Sequence, residues 1–151
     1  MSTAASQTGG RVRVVKQAEI LLVEDNAGDA LLIRETLAVE SMPINLHVAT
    51  DGEEGIQMLT SRRFEPDLVI VDLNLPKVSG LSFLEQCGIE APVVVFSSSR
   101  DPEYIRRAYE LGVKDFVVKP SDLADYTREV SYIVCRWSLL EVQPEPGGEF
   151  A

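Results

Sequence analysis

Cysteine is nearly absent from this chain: Cys87 and Cys135 are its only 2, far apart in 151 residues. That excludes a disulfide framework and fits a reducing compartment, so the cytoplasm is the expected location. Histidine is scarcer still. A histidine-ligated zinc centre or a Ser-His catalytic pair would rest on His47 alone. Positive charge is also short, with Lys+Arg 14 against Asp+Glu 24 and a net charge of −10. Nucleic acid requires a basic face, so direct binding to it is not expected. No apolar run reaches the length of a membrane helix, and no signal-peptide core opens the chain. What remains is 45% hydrophobic and 25% charged, the balance of one soluble globular domain.

The stretch Pro66 to Gly80, PDLVIVDLNLPKVSG, organises the rest. Leu68 to Val71 is a short β-branched run of the kind buried on both faces of a sheet. It ends at Asp72, and Pro76 and Gly80 then open a loop. Glu19 to Val23 is a second such run and ends in Glu24-Asp25-Asn26. Ala30, Ile33 and Leu37 follow at helical spacing. Ile44 to Ala49 alternates as a strand, and Thr50-Asp51-Gly52 opens a helix with Ile56 and Leu59 inward. A short helix is expected from Leu81 to Cys87. Val93 to Phe96 is a buried strand ending in Ser97. Asp101-Pro102-Glu103 starts a helix with Ile105, Ala108, Tyr109 and Gly112 along one face. Asp115 to Val118 is a fifth strand, ending in Lys119-Pro120. Ser121-Asp122 caps a last helix with Leu123, Tyr126, Val130, Ile133 or Val134, and Trp137 inward.

Five strand–helix units in succession imply an α/β fold, a doubly wound five-stranded parallel sheet with helices on both faces. The flavodoxin-like order 2-1-3-4-5 sets the ends of the first and third strands side by side. The folded domain is expected over 17–142. Residues 1–16 read as a disordered or irregular leader, with a short extra strand within Arg11 to Lys16, and 143–151 as a disordered tail.

In that order Glu24, Asp25 and Asp72 meet at one crevice, with Ser97 and Lys119 on the same edge. Like charges there raise one another's pKa unless neutralised, and Lys119 supplies only one positive charge. An all-oxygen ligand set suits a hard divalent cation, Mg²⁺ or Mn²⁺. Carboxylate, cation, hydroxyl and ammonium together are equipped for phosphoryl transfer, with Asp72 as nucleophile. Taken singly, each residue has a plainer reading: Asp72 a turn residue, Glu24-Asp25-Asn26 an N-cap cluster, Ser97 strand-end polarity, Lys119 a surface lysine. The functional reading rests on complementary chemistry at four strand ends. An aspartyl-nucleophile phosphohydrolase would want a second acid two residues after Asp72, where Asn74 stands, and a cap insertion. A flavin-binding relative would want a Ser/Thr/Gly-rich phosphate loop where Glu24-Asp25-Asn26 lies.

VEDN (Val23 to Asn26), VDLNLPKVSG (Val71 to Gly80), the Ser97 strand end and VVKP (Val117 to Pro120) resemble the response-regulator receiver domains of two-component signalling. The resemblance runs from about Glu19 to Leu140. It implies Asp72 as phosphoacceptor and Mg²⁺ bound by Asp25, Asp72 and the Asn74 carbonyl, with Glu24 acting mostly through water. It implies Ser97 as switch hydroxyl, Lys119 as the phosphate-pairing lysine and Phe116 as the aromatic that reports activation. The implied partners are a histidine kinase and a downstream protein. Beyond its own phosphorylation and slow dephosphorylation, no enzymatic activity is implied. VEDNAGDALLIRETL, DLNLP, AYELG and the late Trp137 also resemble stand-alone regulators that partner bacteriophytochrome kinases. Three departures stand out: a short Gly88 to Ala91 segment, Glu24 where Asp is commoner, and Ser97 where Thr is commoner. With no output domain in the sequence, the expected output is a protein contact. A homodimer is expected through the fourth helix, fifth strand and fifth helix.

Overall fold

The computed structural model describes residues 12–14, 17–138 and 142–144. In chain order these form β1 (Val12–Val14), β2 (Ala18–Val23), α1 (Ala27–Val39), β3 (Ile44–Ala49), α2 (Gly52–Ser61), β4 (Leu68–Val71), α3 (Gly80–Cys87), β5 (Val93–Ser97), α4 (Pro102–Glu110), β6 (Asp115–Val118), α5 (Leu123–Trp137) and β7 (Val142–Pro144). The five parallel strands lie in the order β3-β2-β4-β5-β6, the 2-1-3-4-5 winding expected.

Strand periodicity divides the core into two layers. Ile20, Leu22, Leu68, Ile70, Val94 and Phe96 face one way and meet Ile33 and Leu37 of α1 and Tyr126, Val130 and Ile133 of α5. Leu21, Val23, Val69, Val71 and Val95 face the other way and meet Phe83 and Leu84 of α3 and Ala108 of α4. Since β4 and the Ile20–Val23 stretch of β2 are buried on both faces, their sequences are continuous apolar runs.

Each helix of the α/β body begins at a side chain that accepts a backbone N–H: Asn26, Asp51, Ser79, Asp101 and Asp122. The loop after β4 is tied down by two close approaches. A Cβ on Gly80 would sit 2.4 Å from Leu73 Cα, and one on Gly52 would sit 2.2 Å from the Val78 carbonyl oxygen. Only glycine fits at either place, so the loop carrying Asn74 lies against the N-terminus of α2.

Some expectations are corrected. Leu123 is 63% exposed, because it opens α5 one turn before the helix reaches the sheet. Tyr109 turns its ring outward, and its hydroxyl accepts the Phe116 N–H at 3.1 Å. The extra strand within Arg11 to Lys16 exists as β1. Its antiparallel partner β7 places Gln143 and Pro144 in a strand, where a disordered tail was expected. Pro144 stands at the strand's end, where a missing N–H costs the ladder least. The expectations for 1–11, 15–16 and 145–151 lie outside the described residues.

Candidate functional site

The ladder delivers the acids in register. Val23 is paired with both Ala49 and Val71. One residue further on, the Glu24 N–H donates to Ala49 at 2.9 Å and the Asp72 N–H donates to Val23 at 3.0 Å. Lys119 leaves β6 with its N–H donating to the Ser97 carbonyl at 2.8 Å. The strand ends thus form one crest at the carboxyl edge, where open α/β sheets bind ligands.

Lys119 lies at the centre of this crest. Its Nζ donates to Glu24 Oε1 at 2.8 Å, Asp72 Oδ2 at 3.0 Å and Asp29 Oδ2 at 3.2 Å. An ammonium has three N–H donors, and all are engaged. Glu24 is 2% exposed and Asp72 6% exposed, so these charges meet in a desolvated crevice. Burial pushes the Glu24 carboxyl up to about 7; Lys119 opposes the shift and the Asp72 charge adds to it. Burial would lower Lys119, but the hydrogen bond to Glu24 and the charges of Asp72 and Glu24 outweigh it and hold the ammonium protonated. Asp72 Oδ1 accepts the Asn74 N–H at 3.1 Å.

The ligand atoms of Glu24, Asp25 and Asp72 all lie within 4.8 Å of one another. Unlike its two neighbours, Asp25 is exposed. Asp25, Asn74 and Tyr104 of α4 border a cavity of about 470 Å³ that opens beside the crevice. Three carboxylates against one ammonium leave negative charge uncompensated, and every donor is a hard oxygen. That donor set fits a divalent cation of the Mg²⁺ or Mn²⁺ type. A larger cavity, about 730 Å³, is bordered by Ile56, Phe64, Cys87 and Pro92 at the opposite, amino edge, far from this chemistry.

The predicted site residues are brought together unequally. Glu24, Asp25, Asp72 and Lys119 form one cluster. Asn74 stands exposed at its rim. Ser97 is fully buried at the end of β5, its hydroxyl accepting the Ser99 N–H at 3.3 Å. Phe116 is half-buried on the α4 side of β6, next to the Tyr109 hydroxyl. Asn26 keeps its plain role as the cap of α1, accepting the Asp29 N–H at 2.9 Å.

Two residues at the site were missed. Asp29 is the third carboxylate on Lys119 and the fourth at the site, and its other oxygen accepts the Tyr126 hydroxyl at 2.5 Å. Burial, then the neighbouring Asp29, raises the Tyr126 phenol and keeps it a donor. Asp29 looks in sequence like any first-turn helix acid, and Tyr126 like any inward aromatic. The available signal was spacing: Asp29 lies three residues after the cap Asn26, in the first turn of the helix that leaves the crevice.

Comparison with known proteins agrees with this geometry. Residues 20–131 match the family model for the response regulator receiver domain. The chain is 37% identical over 111 residues to protein-glutamate methylesterase/protein-glutamine glutaminase 3 of Geobacter sulfurreducens, covering 71% of this chain but only 29% of that protein's length. It is 31% identical over 128 residues to the response regulator Rcp1 of Synechocystis, covering 78% of this chain and 87% of Rcp1. The crystal structure of the phosphorylated cyanobacterial phytochrome response regulator RcpA superposes with a TM-score of 0.76 at 32% identity, over 81% of this chain and 94% of RcpA. The Mn²⁺-bound form of Rcp1 gives 0.75 at 29% identity, over 84% and 99%. The matched segment takes in every strand end described above, and the chain belongs to the response-regulator receiver-domain family.

Proposed function

We propose that this receiver accepts a phosphoryl group on Asp72 from a histidine kinase, and that the modified protein signals through a changed protein-binding surface. The observation that carries the reading is the Lys119 ammonium, held 2.8 Å from Glu24 and 3.0 Å from Asp72 in a buried crevice. In the transfer, a carboxylate oxygen of Asp72 forms the new O–P bond. The N–P bond of the phosphohistidine breaks, and its electron pair stays on the imidazole. Lys119 pairs with the phosphoryl oxygens, Ser97 hydrogen-bonds one of them, and Phe116 takes the space the Ser97 loop vacates. Asp25, Asp72 and the Asn74 carbonyl would hold Mg²⁺ or Mn²⁺, with Glu24 acting through water. The cation supplies charge neutralisation on the transferring group.

The likeness to RcpA and Rcp1 supports a kinase of the phytochrome class as partner. No helix among the described residues is long and apolar enough to cross a membrane, which accords with a cytoplasmic site of action. The proposed output is a downstream protein and a homodimer through α4, β6 and α5. Exposed Tyr104, Tyr109, Leu123 and Tyr132 on α4 and α5 support that face. Tyr126 lies inward, buried in the core as its helical spacing predicts, and is no part of that face. The test is intact-mass and peptide mapping after acetyl phosphate with Mg²⁺. One added phosphoryl group on Asp72 is expected; label on another residue, or none, would overturn the assignment. Sedimentation with and without beryllofluoride tests the dimer, and a protein monomeric in both states would end that part of the reading.

A further inference from the structure

The transfer just proposed uses Lys119 but does not explain why its third proton goes to Asp29. Glu24 and Asp72 hold the ammonium from the buried side of the crevice. Asp29 holds it from the rim, at the start of α1, with its side chain 24% exposed. A carboxylate in that position would ordinarily turn into water at little cost. Here its second oxygen is fixed by the Tyr126 hydroxyl. The Tyr126 ring is buried edge-on against Phe96, with centroids 5.1 Å apart and planes at 63°. Phe96 in turn lies 5.9 Å beneath the Lys119 Nζ and precedes Ser97 in β5. One contiguous set of contacts therefore runs from the site lysine to α5.

We infer that Asp29, clamped by Tyr126, is a positioning residue for Lys119 and the link through which the state of that lysine reaches α5. Its consequence for signalling rests on the phosphoryl transfer proposed above, whereas the link itself rests on the hydrogen bonds alone. The physical argument concerns donor number. All three Lys119 N–H groups are engaged, so pairing with a phosphoryl oxygen requires one existing bond to yield. The bond to Asp29 is the longest and the most exposed of the three. Once Asp29 is released, the Tyr126 hydroxyl loses a fixed acceptor in a buried setting, which is costly unless α5 adjusts. Six residues further along α5, Tyr132 is exposed and belongs to the proposed output face.

Two measurements test this. The first uses unmodified protein with ¹³C-labelled tyrosine rings, the Tyr126 signal being assigned by its loss in Tyr126→Phe. Lys119→Met should shift that signal in the wild-type background and leave it still in an Asp29→Ala background. A Tyr126 signal indifferent to Lys119, or one that moves equally without Asp29, overturns the link. The second is the rate of Asp72 labelling against acetyl phosphate concentration, with Mg²⁺ present. Tyr126→Phe retains the ring against Phe96 and removes only the hydroxyl. It and Asp29→Ala should lower the maximal rate by about three- to tenfold, the worth of one hydrogen bond of ordinary net strength. The half-saturating donor concentration should not change, and Asp29→Asn, which keeps one acceptor oxygen, should be intermediate. Equal rates in all variants, with only melting temperatures altered, overturn the positioning role. A wild type that takes no label overturns the proposed function and the positioning role together, while the tyrosine signal still decides the link.

Discussion

Strand β2 carries a glutamate near each end, and the two are opposites. Glu19, at the amino edge, is met by hydrogen-bonding partners: Asn45 Nδ2 donates to it at 2.9 Å and His47 Nε2 lies 2.7 Å away. His47 is itself stacked on Phe64, ring centroids 3.7 Å apart. The hydrogen bond from Asn45, then that from His47, holds the Glu19 carboxyl below its usual range. Glu24, at the carboxyl edge of the same strand, is buried beside Asp72 and pushed up to about 7. One residue type on one strand is settled at one edge and poised at the other. Charge whose partners are complete is structure, whereas charge crowded with its like and short of cations leaves a role for something that binds.

The contrast breaks most completely at Asp72. Asp72→Asn keeps the volume and removes the nucleophilic oxygen's charge at the centre of the poised edge. Labelling by acetyl phosphate or a kinase should fall to background while the far-ultraviolet circular dichroism stays that of the wild type. An intact-mass adduct on the variant equal to the wild type's would place the acceptor elsewhere.

Asp25→Ala should have the next largest effect, because it removes the exposed member of the carboxylate cluster. Mg²⁺ affinity should fall about tenfold or more. The metal-free protein should melt no lower than wild type, since a like charge has been removed from the crevice. A Mg²⁺ titration followed by thermal melts reads both, and unchanged affinity would argue against the cluster as the cation site.

Proton linkage sharpens the comparison further, since the two glutamates have opposite slopes. Glu24 has a folded-state pKa raised from 4.5 to about 7, so the folded protein binds more protons than the unfolded chain between those values. Its contribution is therefore present below pH 4.5 and is lost as pH rises through about 7. Metal-free protein should melt about 5 °C lower at pH 8 than at pH 5 from this group. Mg²⁺ should recover the loss at the higher pH, because it binds the ionised carboxylates. Calorimetric melts of wild type and Glu24→Gln decide it; a variant with the wild-type slope would assign the pH dependence to other groups.

How far the sequence was legible follows the same division. Strands buried on both faces announce themselves as unbroken apolar runs, so β2, β4 and β5 were readable almost to the residue. The strand-end acids could be placed because the fold has one carboxyl edge and one winding order. Helix faces were less legible. Leu123 and Tyr109 obey helical spacing yet face water, since spacing fixes a stripe but not where on the helix the neighbour stops. Asp29 and Tyr126 were illegible as a pair, being 97 residues apart and joined only by the packing of α1 against α5. The strand at Val142–Pro144 was hidden because Pro and Gly nearby outweigh three residues whose partner is equally short.

The smallest effect belongs to the settled edge. Glu19→Gln keeps the shape and an acceptor oxygen for Asn45 but loses the charge beside His47. Glu19 has a depressed folded-state pKa, so its stabilisation is present above the unfolded carboxylate pKa and fades as pH falls through the folded value. The variant should therefore lose stability at pH 7 and converge on the wild type in acid, the reverse of the Glu24→Gln pattern. The loss should be about 1 kcal/mol or less, the usual worth of a partly exposed charge-assisted pair. Asp72 labelling should be unchanged, because Glu19 lies at the far end of β2 from the crevice. Urea melts at pH 7 and pH 4, run beside the labelling assay, measure both. A Glu19→Gln protein that labelled more slowly than wild type while losing no stability would show that the two edges communicate along the strand, and would end the division between a settled edge and a poised one.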